Sequence, residues 1–234
     1  MKKFLIILLL YYPINTYSQG WSFEYSAGYG TYKLTDIKNL QHSTLDNSML
    51  NYYGLKETDG FPGYIIHSVA LGYVAGSHHF GAGFSYFTTG GRLHRADYSG
   101  SYTIDMIMNG NRLGAFYRYN INSKAPDLNF YLQLGSGIMF SNLKMKEQVI
   151  IYSESKVDTE HLNGLGIYME PVIGAKYCFT NWLSFSLGVG YEADFLGTLK
   201  LSEQETQLKA RWNGLRLYGG IVFVIPAKRK SLYE

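Results

Sequence analysis

The sequence predicts an all-β protein, an eight-stranded antiparallel up-and-down barrel. Three observations carry that expectation. Apolar and polar residues alternate with a period of two through one segment after another. The connections between these segments alternate between long polar stretches and tight turns. The composition, with 26 Gly, 22 Tyr and only 17 % charged residues, departs from the roughly 25 % charge usual in soluble domains.

The clearest segments lie back to back between Gly164 and Phe195. Leu183, Phe185, Leu187, Val189, Tyr191, Ala193 and Phe195 share one face, against Ser184, Ser186, Gly188, Gly190, Glu192 and Asp194 on the other. In the preceding segment Ile167, Met169, Pro171, Ile173, Ala175, Tyr177 and Phe179 alternate with Gly166, Tyr168, Glu170, Val172, Gly174, Lys176 and Cys178. Such alternation is a strand with one apolar face. The first strand runs from Trp21 to about Lys33, followed by a polar connection, residues 35–63, with a weak helical fragment around Leu45 to Leu50 and Pro62-Gly63 at its end. Strand two covers Tyr64 to Val74, and a Gly-containing turn at residues 75–78 leads into strand three near His79. That strand loses regularity past Gly90-Gly91, with a polar loop around residues 98–101. Strand four spans about Tyr102 to Ile121 and is clearest from Leu113 onward; strand five spans Phe130 to about Met145. Polar connections are expected at residues 146–162 and 197–209, and the last strand runs from about Ala210 to Ile225, where Pro226 stops it.

The N-terminus reads as a cleaved secretory signal peptide, residues 1–18: Lys2 and Lys3, an apolar run from Phe4 to Tyr12, then Thr16-Tyr17-Ser18. That run is far short of the roughly 20 residues a membrane helix needs. The barrel then occupies residues 19–226, with a short tail at 227–234. Two of the charges in the formal net charge of +3 are Lys2 and Lys3, so electrostatics offers nothing for nucleic acid. Cys178 is the single cysteine, which excludes an intramolecular disulfide and C-x-x-C sites.

Alternation does not say which face points outward, but the residues on each face do. The polar face is mostly Gly and Ser, suited to a crowded lumen, and the apolar face is nearly free of charge. Trp21, Phe23, Tyr119, Phe130, Tyr177, Phe179 and Trp182 gather at one rim as an aromatic girdle. The expected fold is therefore a transmembrane β-barrel of the outer membrane, with long extracellular loops, short periplasmic turns and both termini periplasmic.

The segment GAKYCFTNWLSFSLGVGY, a strand ending in aromatics, a tight turn with Asn181-Trp182 and then Gly-spaced alternation, resembles the small outer-membrane β-barrel proteins of Gram-negative bacteria (the OmpA-barrel, OmpX and OmpW-like group). The style is similar to those of the Bacteroidota. The resemblance covers about Gln19 to Ile225, and its motifs are generic to the architecture. It implies a monomer without cofactor in contact with outer-membrane lipid and inserted by the barrel-assembly machinery. Gly220, Phe223 and Ile225 are similar to the assembly signal of such barrels, from which the tail after Pro226 departs.

Seven charged residues fall on the predicted inner face: Glu24, Arg118, Glu170, Lys176, Glu192, Asp194 and Arg216. Pairing Phe179 with Leu183 sets Glu170 opposite Glu192, and such close carboxylates need a cation, for which Arg216 on the last strand is the candidate. This is read as a lumen-filling network in preference to an acid/base pair or a cation site. No catalytic or metal-binding residues are assigned. His161-Leu162-Asn163 carries Asn where a His-x-Ser deacylase motif has its nucleophile. His78 and His79 point to opposite faces, as do His67 and Ser68, while His42 and His94 lie apart in or near loops. The expected function is non-enzymatic, structural or binding an extracellular partner through loop 35–63, where Tyr52, Tyr53 and Leu55 are the candidate contacts. The alternatives are a narrow, porin-like path for a small or hydrophobic solute and, third, a lipid-modifying enzyme.

Overall fold

The computed structural model describes residues 19–46, 54–98, 100–123, 127–152, 154–201 and 204–226; the expectations for residues 1–18, for Tyr52 and Tyr53 and for residues 227–234 lie outside the described residues. In chain order the elements are β1 (Gly20–Gly30), α1 (Thr35–Asp46), β2 (Lys56–Gly60), β3 (Tyr64–Ala75), β4 (His78–Asp97), β5 (Gly100–Asn122), β6 (Leu128–Ile151), β7 (Glu154–Cys178), β8 (Leu183–Leu201), β9 (Gln204–Lys209) and β10 (Gly214–Pro226).

Eight of these strands close an antiparallel ring in the order β1-β3-β4-β5-β6-β7-β8-β10, since β10 pairs with both β8 and β1. Closure leaves no free edge, which a spanning sheet in lipid requires. The strand pleat is as expected through this part. On β6, Phe130, Leu132, Leu134, Ile138 and Phe140 are exposed outward, while Tyr131 and Met139 are buried within. The outward run from Phe130 to Phe140 matches the 9–11 residues or so with which a tilted strand crosses a bilayer.

The strands are unequal in height, and here the structure departs from the sequence reading. β1, β3 and β10 have 11, 12 and 13 residues, whereas β4 to β7 have 20, 23, 24 and 25. All eight are aligned at the end carrying the short turns, so the surplus projects beyond the other rim. The stretches expected as polar loops at residues 98–101, 146–162 and 197–209 are largely strand: β6 continues to Ile151, β7 begins at Glu154, and β8 and β9 pair above the ring. Above the bilayer the outer face meets water, so its polar residues are compatible with regular pairing.

The pleat also inverts its polarity on passing the rim. Inward positions of β5 run Asn120, Arg118, Phe116, Gly114 and Arg112 in the lower barrel, then Met108, Met106 and Ile104 above. Outward positions run Ile121, Tyr117 and Leu113 below, then Asn109, Ile107, Asp105 and Thr103 above, where Ile107 is the one apolar exception. The sequence signal fades at this crossover because neither face keeps one character.

Above the ring, β2 adds to β4 and β9 adds to β8, leaving a curled wall open on the side where β1, β3 and β10 have stopped. α1 fills that opening. Its Asp36 carboxylate accepts from Lys209 N at 3.1 Å on β9, and Gln41 Nε2 donates to Asp59 O at 2.6 Å on β2. The 35–63 connection carries a helix at Thr35–Asp46, which takes in the start of the fragment expected around Leu45 to Leu50; residues 47–50 lie outside the described residues. Few apolar residues mark α1; tertiary contacts through buried Ile37 and Gln41 stabilise it.

The space enclosed is an apolar core: Phe87, Leu93, Met106, Met108, Met139, Leu143, Leu162 and Leu199 from the wall, Leu34, Ile37, Leu55 and Phe61 from the 31–63 excursion, and Trp212 from the segment before β10. Leu34 and Phe61 have φ of 38° and 53°. Left-handed backbone at non-glycine residues costs about 1–3 kcal/mol each, offset here by burying both side chains almost completely. Ile37→Ala should destabilise this projecting unit by about 2–5 kcal/mol while leaving the membrane ring closed. The check is urea unfolding in micelles, in which protease cleavage within residues 31–63 appears at lower urea while heat-modifiable gel migration persists.

Candidate functional site

The candidate site is the lumen beneath that core. Its inner wall is rich in glycine because large side chains cross it. A Cβ at Gly174 would strike the Tyr131 ring, one at Gly114 the Tyr168 hydroxyl, one at Gly110 the Phe87 ring and one at Gly30 the Arg216 side chain. An eight-stranded barrel has little interior space, so small residues on one strand make the seats for long ones on another.

The upper layer is built on two facing carboxylates. Met169 pairs with Ala193 and Val172 with Gly190, a register that sets Glu170 across from Glu192. Arg112 on β5 reaches over the lumen and donates from Nη1 to Glu170 Oε2 at 2.8 Å and to Glu192 Oε2 at 2.5 Å. Its Nη2 donates to Ser85 Oγ at 3.1 Å, and its guanidinium lies over the Tyr168 ring at 4.8 Å. Tyr218 donates its hydroxyl proton to Glu170 Oε1. Arg216 holds the other oxygen of Glu192 at 3.0 Å and also donates to Trp212 O at 2.8 Å and Thr31 O at 2.7 Å. Glu192 and Arg216 are both fully buried.

Arg216 therefore ties the ion cluster to the apolar core above it. Its guanidinium sits 4.8 Å from the Tyr32 ring, and Tyr32 and Phe87 both meet Trp212 edge to face. Burial pushes the Tyr32 phenol up to about 12, against the lowering effect of Arg216, so the phenol stays neutral in this contact.

The lower layer is smaller. Arg118 Nη2 pairs with Glu24 Oε2 at 2.9 Å, its Nε donates to Gln133 Oε1 at 2.8 Å, and its guanidinium stacks on Tyr131 at 4.5 Å. Nearer the short-turn end, His79 Nε2 and Ser22 Oγ share a hydrogen bond of 2.7 Å. Between the two layers is a cavity of about 90 Å³, lined by Glu24, Ser68, Arg112, Arg118, Tyr131 and Glu170 among others. It is polar and large enough for a few waters.

Of the seven predicted inner-face charges, the structure joins Glu24 with Arg118, and Glu170 and Glu192 with Arg216 through the shared Arg112. Two stand apart from ion pairs among the described residues. Asp194 is buried but accepts from Trp212 N at 3.3 Å, while its own N–H donates to Asn213 Oδ1 at 2.5 Å, so it fastens the segment before β10. Lys176 is half-buried, opposite Ser186. The counter-charge assignment is corrected: Arg216 serves Glu192 alone, and the group bridging both carboxylates is Arg112. Position 112 has the same parity as Gly114 and Arg118, so extending the inward count two residues past Gly114 reaches it. Six of the seven girdle aromatics are exposed outward, while Tyr119 is half-buried against His78, ring centroids 5.5 Å apart. A second aromatic row at the opposite rim, with Tyr29, Tyr64, Tyr86, Phe140, Tyr191 and Phe195, went unmarked in the sequence reading.

No family model matches the chain, and no curated protein matches it. Solved structures do. Neisserial surface protein A aligns at 12 % identity and TM-score 0.38 over 90 % of this chain and all of that one. Ail, the attachment invasion locus protein of Yersinia pestis in complex with the heparin analogue sucrose octasulfate, aligns at 11 % and 0.40 over 88 % of this chain and 99 % of that one. The N-terminal β-barrel domain of Pseudomonas aeruginosa OprF gives 12 % and 0.34, again over 88 % and 99 %. At these values the reading rests on the barrel itself. A closed eight-stranded ring with an apolar exterior and aromatic rows at both rims is an outer-membrane β-barrel protein.

Arg112→Met leaves buried Glu170 without a cation and takes one of two from Glu192, and should cost about 3–5 kcal/mol, whereas Arg216→Met leaves both carboxylates paired to Arg112 and should cost less. Urea unfolding followed by heat-modifiable migration orders the two variants; equal midpoints would show that Arg112 is not the shared counter-charge.

Proposed function

We propose that this protein is a non-enzymatic outer-membrane barrel with a closed lumen, acting as a structural element or binding an extracellular partner through the part that stands above the membrane. The observation that carries the proposal is double occlusion. The Arg112–Glu170–Glu192–Arg216 cluster fills the upper lumen, and the Trp212 core seals it from above. In a membrane a paired and hydrogen-bonded charge cluster resists separation, because each freed charge faces a low-dielectric surround. Activity is thereby directed to the projecting wall of β4 to β7 and to the 31–63 excursion. At the tips of that wall Tyr98 and Tyr152 are almost fully exposed. Both termini are then periplasmic, on the side of the short turns, which suits insertion by the barrel-assembly machinery and a monomeric barrel in lipid.

A non-enzymatic reading also agrees with the surroundings of His161. Asn163 spends its side-chain oxygen on Asn142 Nδ2 at 2.7 Å, and the residue facing His161 across the ladder is Lys144. A second reading, passage of a small solute, draws on the cavity between the two ionic layers. Planar-bilayer recording separates them: the purified protein should show no steady openings, and sustained conductance would favour the pore. The lipid A mass spectrum should be identical with and without expression; a shifted species would point to a lipid-modifying enzyme.

A further inference from the structure

Above the apolar band, the register aligns the outward positions of β4 to β7 into rows. Tyr86, Asn111, Phe140 and Leu165 form the top of the band. The next row is Thr88, Asn109, Asn142 and Asn163, followed by Ile107, Lys144 and His161, then Arg92, Asp105, Lys146 and Thr159. With about 3.3 Å per residue and a tilt of about 40°, Lys144 and Lys146 stand roughly 10–15 Å above Phe140, at the depth of lipid head groups.

These two lysines are uncommitted cations on the outward face of β6. Arg92 is held by Asp105 at 2.5 Å and Lys200 by Glu205 at 3.0 Å, whereas Lys144 and Lys146 make no ion pair among the described residues. The nearby carboxylates of Glu147, Asp158 and Glu160 have the opposite parity and line a pocket on the inner side of the wall. At the other rim the outward residues include Trp21, Tyr73, His78, Tyr119, Phe130, Tyr177 and Phe223, with no Lys or Arg among those described. Among the described residues the outward basic side chains thus gather at one rim, directly above a band that faces acyl chains.

Building on the outer-membrane reading, we infer that this row binds the phosphate groups of a phosphorylated glycolipid of the outer leaflet. Lys144 and Lys146 meet the phosphates, the Asn109–Asn142–Asn163 row offers amides to sugar hydroxyls, and Phe140 and Leu165 contact the acyl chains. Cations beside an anionic lipid surface attract it within a Debye length.

The test titrates the full barrel in neutral detergent with purified lipopolysaccharide and with its dephosphorylated form. K144Q/K146Q should weaken binding of the phosphorylated form roughly thirtyfold, and K144E/K146E further. K156E, which reverses a lysine of opposite parity near the hairpin tip, should bind as the wild type does. Dephosphorylated lipopolysaccharide should bind all of them weakly. Equal affinity in wild type and K144E/K146E, or undiminished binding of the dephosphorylated form, would overturn the assignment. Membrane fractionation and heat-modifiable migration of the same proteins report separately on the outer-membrane reading and on folding.

Discussion

Glu170 and Glu192 face each other across neighbouring strands inside a barrel with almost no free interior, and the Arg112 guanidinium between them is the contact on which the rest of the lumen depends. Two buried carboxylates at that spacing repel, and each carries a large desolvation penalty. One guanidinium nitrogen, Nη1, reaches both carboxylates while Nη2 of the same fork donates to Ser85, a spread of donors that a lysine, with its charge at a point, does not offer. The arrangement then propagates. Tyr218 and Ser85 complete the hydrogen bonding around Arg112 and Glu170, and Arg216 closes the remaining side of Glu192.

Arg216 couples this polar layer to the apolar one above. Its guanidinium donates to two backbone carbonyls, Thr31 O and Trp212 O, which belong to the segments leaving β1 and entering β10. Those segments carry Tyr32, Leu34 and Trp212 into the upper core. The ion cluster therefore sets where the short side of the barrel ends and where the excursion containing α1 begins. Without this anchor the tall wall of β4 to β7 would enclose an open apolar trough, an exposed surface of a kind soluble faces avoid.

The inversion of the pleat explains how one strand serves two solvents. In lipid the apolar side chains face out and the polar ones are confined and paired. In water the same strand turns its polar side chains out and packs Met and Leu within. The rows of Asn and Lys above Phe140 mark the boundary between these regimes at one rim, just as Trp21 and Trp182 mark it at the other.

The closed ring was legible in the sequence because lipid enforces a strict rule over Phe130–Phe140 and its neighbours: one face without charge, the other small or polar. The Phe179–Leu183 turn even set the Glu170–Glu192 register, since a short hairpin leaves few ways to pair its strands. Arg112 was missed because it lies at the crossover, where alternation weakens, and because its two partners sit on strands that sequence distance does not bring near. The wall above the membrane read as loop, since a strand wetted on its outer face has no lipid-imposed pattern and is held by pairing with its neighbours. The start of α1 at Thr35 was not legible, because burying Ile37 and Gln41 in a gap left by shorter strands is a property of the assembled barrel. Sequence alone thus determined that the chain closes into a barrel and which face meets lipid, because those follow from local periodicity. Only the tertiary structure decided what fills the lumen and what caps it, because those depend on which distant side chains share the same few ångströms.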